Sequence, residues 1–171
     1  MLAAHLVPGY LAASSVKPSP GWSIAQRRLL WSVALTSTVA PDADVVYNAL
    51  FRGFVNHSTL WTHSLFVYVG IGLVWWLLRR ADVQPYGRAL IGLIAVGGLS
   101  HLALDAIAHN TPLLYPLSTH MFGIAPAQVA EGTIKDYVTD PVFVLEPLLL
   151  LFAFVHWRRT RKRSFTYSTG N

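Results

Sequence analysis

Three stretches of this chain run for 17 to 20 residues almost without charge: Leu60–Leu78, Ala89–Ala108 and Pro141–Trp157. A bilayer core about 30 Å thick takes about 20 helical residues to cross, so each stretch approaches the length of a transmembrane helix. Two shorter apolar segments, Leu2–Val16 and Leu29–Ala40, add helices that would cross with help from neighbours. The expected fold is therefore all-α, a multi-helix integral membrane bundle of about five helices. The rival is a soluble all-α protein with deeply buried helices, which apolar runs of this length disfavour. Composition agrees, since 12% of the 171 residues are charged, about half of what a soluble domain carries. Zero cysteines exclude disulfides, Cys-type zinc sites and thiol nucleophiles. No small-residue cleavage site follows "MLAAHLVPGYLAA", so this segment is expected to stay attached.

The formal charge of +5 admits nucleic acid as a partner, but its distribution points to a membrane surface. Arg27/Arg28, Arg79/Arg80 with Arg88, and Arg158 through Arg163 each flank an apolar run. Placing these clusters in the cytoplasm, as the positive-inside rule prefers, gives a chain that starts outside and ends inside. On that topology 11 of 13 Lys/Arg are cytoplasmic, the exceptions being Arg52 and Lys135. Six of seven His and seven of eight acids then fall toward the outer end. Residues 1–157 read as one membrane-embedded helical domain and 158–171 as a basic cytoplasmic tail that holds anionic headgroups. Membrane lipids are the expected partners, nucleic acid is not, and the oligomeric state is left open.

Ionisable groups inside a membrane are unfavourable and need a reason. Measured from the nearest basic flank, His5 lies 12 residues along, Asp42 14, His63 16, His101 13, Asp105 17 and Glu146 12. At 1.5 Å per residue all sit roughly 18–26 Å above the cytoplasmic level, in one layer toward the outer face. In "SHLALDAIAH" the residues His101, Asp105 and His109 share one helix face. Imidazole and carboxylate at this spacing suit a divalent ion, zinc first, with manganese or iron as alternatives, in one or two copies. A lone His-x-x-x-Asp is weak; the inference rests on convergence of His5, Asp42, Asp44, His63, His101 and Asp105. Glu146 is a further candidate ligand, although a Glu before Pro147 also suits a structural hydrogen bond. "PDAD" taken alone reads equally as a turn. His57 and His120 read as loop residues, and His156 as a headgroup-level residue.

The order of these motifs, an N-terminal His, then "PDAD", "THS", and "HLALD" followed by "LLYPLS", resembles the YdjM-type membrane-bound metal-dependent hydrolases. The resemblance runs from about His5 to Glu146. That family is similar in turn to the all-helical zinc-dependent phospholipases C and single-strand nucleases, which hydrolyse phosphoesters with metal held by His and Asp/Glu. It implies a helical core of that kind and His5, Asp42, Asp44, His63, His101 and Asp105 as ligands. The family's compact His-Arg-Gly is absent; "FRGFVNHSTLWTHS" separates Arg52 from His57. The implied activity is hydrolysis of a phosphoester, a phospholipid or its headgroup, at the outer face of the inner (cytoplasmic) membrane. Asp44 or Asp42 would act as general base, with Arg52 or His109 holding the phosphate or protonating the leaving group. Two other classes use the same residues, a transporter or ion-handling protein and a scaffold whose His/Asp layer only packs. Below His63 only Ser64 and Tyr68 are polar in the run to Leu78, which gives a transporter no continuous path.

Overall fold

The computed structural model describes residues 3–51, 61–81, 83–124 and 141–168. They form six α-helices: α1 Leu6–Ser15, α2 Ile24–Ser37, α3 Ala43–Phe51, α4 Leu65–Arg80, α5 Pro85–Ala108 and α6 Leu145–Ser168. Short 3-10 turns, Ala40–Asp42, Trp61–His63 and Pro141–Val144, precede α3, α4 and α6. Among the described residues there is no strand, only an isolated antiparallel bridge between Thr111 and Phe122. The all-helical expectation holds, with one more helix than the apolar runs announce. The addition is α3, nine residues long, where the sequence suggests only a turn and an exit.

Local chemistry sets the helix ends. Ser23 and Gln26 close a capping box: Gln26 N–H donates to Ser23 Oγ, and Ser23 N–H to Gln26 Oε1. Two of the orphan amides at the start of α2 are thereby satisfied. Helix α5 begins on Pro85, whose fixed φ and missing N–H suit a first helical position. Helix α4 ends on Arg79 and Arg80, cations that the C-terminal end of a helix dipole favours.

Helix α5 is the centre of the packing and touches α1, α2 and α4. Adjacent glycines let it do so. A Cβ on Gly97 would run into Ser37 of α2, and one on Gly98 into the ring of Tyr68 of α4. Gly9 likewise brings α1 against the Ala34 carbonyl of α2. Small residues at helix contacts are how membrane bundles approach closely, because lipid supplies no hydrophobic drive between helices. Ser37 Oγ also donates to Leu93 O at 3.2 Å, tying α2 to α5.

Apolar side chains face outward. On α6, Leu148, Leu151, Phe152 and Phe154 are exposed. On α3 the arrangement is inverted relative to a soluble helix: Val46, Leu50 and Phe51 are exposed while Asp44 and Asn48 are buried. Apolar surface this continuous is foreign to a monomer in water and ordinary in lipid. Helix α5 and the segment Pro141–Arg161 are each long and apolar enough to cross a membrane.

Candidate metal centre

Four side chains from three separate parts of the chain meet where α5 passes two of the 3-10 turns. Asp42 ends the turn before α3, His63 ends the turn before α4, and His101 and Asp105 stand one turn apart on α5. One ligand atom from each lies within 4.8 Å of the others. His101 Nε2 is 2.9 Å from Asp105 Oδ2 and 3.4 Å from Asp42 Oδ1. His63 Nε2 is 3.5 Å from Asp105 Oδ2 and 3.7 Å from Asp42 Oδ1. Tetrahedral zinc with bonds of about 2.0–2.1 Å spaces its ligand atoms about 3.3–3.4 Å apart. The four His–carboxylate separations, 2.9 to 3.7 Å, bracket that spacing.

Proton placement separates a metal site from a hydrogen-bonded seam. His101 Nδ1 lies 2.7 Å from Thr38 O; a carbonyl only accepts, so Nδ1 carries the ring proton of the neutral imidazole. That leaves a lone pair on Nε2, aimed at two carboxylate oxygens. Accordingly His101 Nε2 and Asp105 Oδ2, both fully buried, make no hydrogen bond among the described residues despite their approach. His63 is arranged the same way. Its Nδ1 faces Asp44 Oδ2 at 3.2 Å, which directs the Nε2 lone pair toward Asp42 and Asp105. Lone pairs that converge in a buried space call for a cation, and this donor set of two imidazoles and two carboxylates suits zinc, manganese or iron.

The remaining predicted residues surround this group. Asp44, 2% exposed, stands behind His63 rather than in the shell and takes a second hydrogen bond from Thr62 Oγ1 at 3.3 Å. His5 Nε2–H donates to Asp105 Oδ1 at 3.1 Å, and its ring packs on His101 with centroids 4.4 Å apart. His109 Nε2 lies 3.2 Å from the same oxygen, and its Nδ1 lies 3.1 Å from Asn110 O. Both nitrogens of His109 thus face acceptors, the pattern of an imidazolium. Burial lowers its pKa, but the bond to Asp105 outweighs that and raises it. For Asp42 burial raises the pKa, and the bonds to His101 and His63 more than reverse this, leaving it below the usual carboxylate range.

Other candidates lie elsewhere. Glu146 Oε1 accepts from Ala3 N–H at 2.7 Å, a bond to the far end of the sequence rather than to the backbone that Pro147 frees. It anchors the start of α1 to α6 and is not among the four grouped atoms. His120 packs on Phe122, and His156 Nδ1 meets Tyr10 OH at 3.2 Å between α6 and α1. Arg52 and His57 lie outside the described residues.

Residue types alone concealed three supports. Thr38 acts through its carbonyl. Thr62 donates to Asp44. Tyr68 OH donates to Thr62 O at 3.0 Å and so fixes the turn that presents His63. Tyr68 left a trace, as one of two polar residues in an otherwise apolar run.

Residues 1–168 match the family described as YdjM inner membrane protein. The chain belongs to the YdjM inner membrane protein family. No curated protein and no solved structure matches it. Membership, with two helices long and apolar enough to cross a membrane, α5 and α6, makes this YdjM-family chain a membrane protein.

Proposed function

We propose that this YdjM-family protein is a metal-dependent hydrolase that cleaves a phosphoester, a phospholipid or its headgroup, at the outer face of the inner membrane. The observation that carries the reading is the convergence of the His63, His101, Asp42 and Asp105 lone pairs in a buried space. Those four residues would hold a single divalent ion, zinc in the first instance, on a helical core of the phospholipase C kind. A bound divalent ion supplies a water of pKa about 7 and polarises a phosphoryl oxygen.

The chain's own residues do the rest. Asp44 holds His63 in the tautomer that presents Nε2, as second carboxylates do for metal-bound histidines. His5 steadies the other oxygen of Asp105. The site opens on one side: His63 and His101 side chains are 0% exposed, whereas Asp42 is 36% and His109 is 19% exposed. Substrate enters between these two. His109 there donates a hydrogen bond to the phosphoryl or leaving-group oxygen. The general base was expected at whichever of Asp44 and Asp42 is left unligated, but Asp42 belongs to the proposed shell and Asp44 is bonded to His63, so neither is assigned that role.

Detergent-purified protein loaded in turn with zinc and manganese, assayed on a phosphodiester chromogen and on phospholipid vesicles, tests the reading. The expected result is metal-dependent release that Asp105→Ala removes. A protein that binds the metal and hydrolyses none of these substrates would overturn hydrolysis while leaving the metal centre standing. Ion flux across reconstituted vesicles would then favour an ion-handling role.

A further inference from the structure

A second concavity lies at the other end of α1 and α2. It has a volume of about 210 Å3 and is lined by Ala13, Val16, Leu30, Trp22, Trp31 and Arg27 among others. Ser14, on its rim, is nine residues along from His5, and Arg27 is eleven from Thr38. At 1.5 Å per residue the pocket is roughly 14–16 Å along the bundle from the metal centre. None of its lining residues belongs to the His/Asp cluster.

The surroundings are cationic and aromatic. Residues 1–41 contain no Asp or Glu, while Lys17, Arg27 and Arg28 cluster around the turn between α1 and α2. No ion pair engages Arg27 among the described residues, and its side chain is exposed. The Tyr86 ring packs edge-on against Trp22, 5.2 Å between centroids, and its hydroxyl donates to Gln26 O at 3.0 Å. This brings the start of α5, with Arg88, to the same end, next to Arg79 and Arg80 at the end of α4. The Ser23–Gln26 capping box takes up two of the amides at the start of α2, and Arg27 is the cationic side chain in the pocket lining.

We propose that this pocket binds one anionic phospholipid, its acyl chain against Ala13, Val16 and Leu30 and its phosphate on Arg27. A guanidinium matches two phosphate oxygens at once. Tryptophan is the side chain that settles at headgroup level, apolar body inward and N–H toward water. The apolar floor selects a lipid over free phosphate. The bound lipid clamps α1 to α2 at the end remote from His5 and serves as a structural ligand.

Native mass spectrometry of the full-length protein, with phosphatidylglycerol or phosphatidylcholine added in detergent, reads this directly. One phosphatidylglycerol is expected to remain bound under conditions that strip phosphatidylcholine. Arg27→Gln lowers its retention roughly fivefold to tenfold, while Arg28→Gln, outside the pocket lining, changes it less than about twofold. Bound metal is the same in all three proteins, which keeps this test independent of the hydrolase reading. Equal retention of the two lipids, or an unchanged Arg27→Gln protein, overturns the site. Displacement of the lipid by excess inorganic phosphate overturns the role of the apolar floor.

Discussion

Asp105 divides its two oxygens between two tasks. Oδ2 faces the His63 and His101 lone pairs, and Oδ1 takes hydrogen bonds from His5 and His109. Replacing it with Ala removes a ligand and releases both outer histidines, so Asp105→Ala is expected to purify without metal, as is His101→Ala. Elemental analysis of the purified proteins checks this. Glu146→Gln keeps an oxygen for Ala3 N–H and is expected to retain wild-type metal content; loss of metal there would enlarge the shell beyond four residues. Asp44→Asn is graded differently. It leaves the four ligand atoms intact and weakens only the orientation of His63, so metal affinity should fall about 10- to 100-fold, measured by competition with a chromophoric chelator.

At the level of the helices, the glycine pair on α5 links packing to the site. Gly98 receives the Tyr68 ring, and Tyr68 OH holds the turn that carries His63. Gly98→Val would push that ring aside, at about 1–3 kcal/mol for an overpacked contact. Both the thermal midpoint in detergent and the metal content are expected to drop. Gly70 of α4 is the matched control, because a Cβ there meets nothing within 4 Å. Gly70→Ala should hold or raise the midpoint, Ala being about 1 kcal/mol the better helix former. The same elements explain what the sequence disclosed. His101 and Asp105 are legible as a pair because a helix repeats every 3.6 residues, whereas the distance from a basic flank picked out Asp42 and His63 together with Glu146, which lies outside the cluster. The difference between Asp42 and Asp44 was hidden. They are two residues apart, yet the imidazole of His63 sits between them, presenting Nε2 to one and Nδ1 to the other. That outcome depends on a 3-10 turn passing into α3, and the apolar pattern announces neither. The role of Thr38 was equally hidden, since a backbone carbonyl acts whatever side chain the residue bears.

For the molecule as a whole, the open question is which end faces which compartment. The absence of native cysteine makes single introduced cysteines clean reporters. Thr119→Cys, in the exposed segment after α5, should react with a membrane-impermeant maleimide added to intact spheroplasts. Arg161→Cys on α6 should react only once the membrane is opened. The reverse pattern would put the metal centre on the cytoplasmic side and remove the outer-leaflet substrate.

The hydrogen bond between His5 and Asp105 spans 100 residues of sequence. A ribosome making about 5–20 residues per second needs roughly 5 to 20 seconds to cover that interval. Through that time α1 and α2 have emerged while the carboxylate that receives His5 has not yet been made. Asp42 and His63 likewise wait for α5 before the cluster has its fourth member. On the proposed reading, metal would therefore enter late in biogenesis, and a chain stalled ahead of α5 offers the quality-control machinery a half-built His/Asp site within its apolar segments.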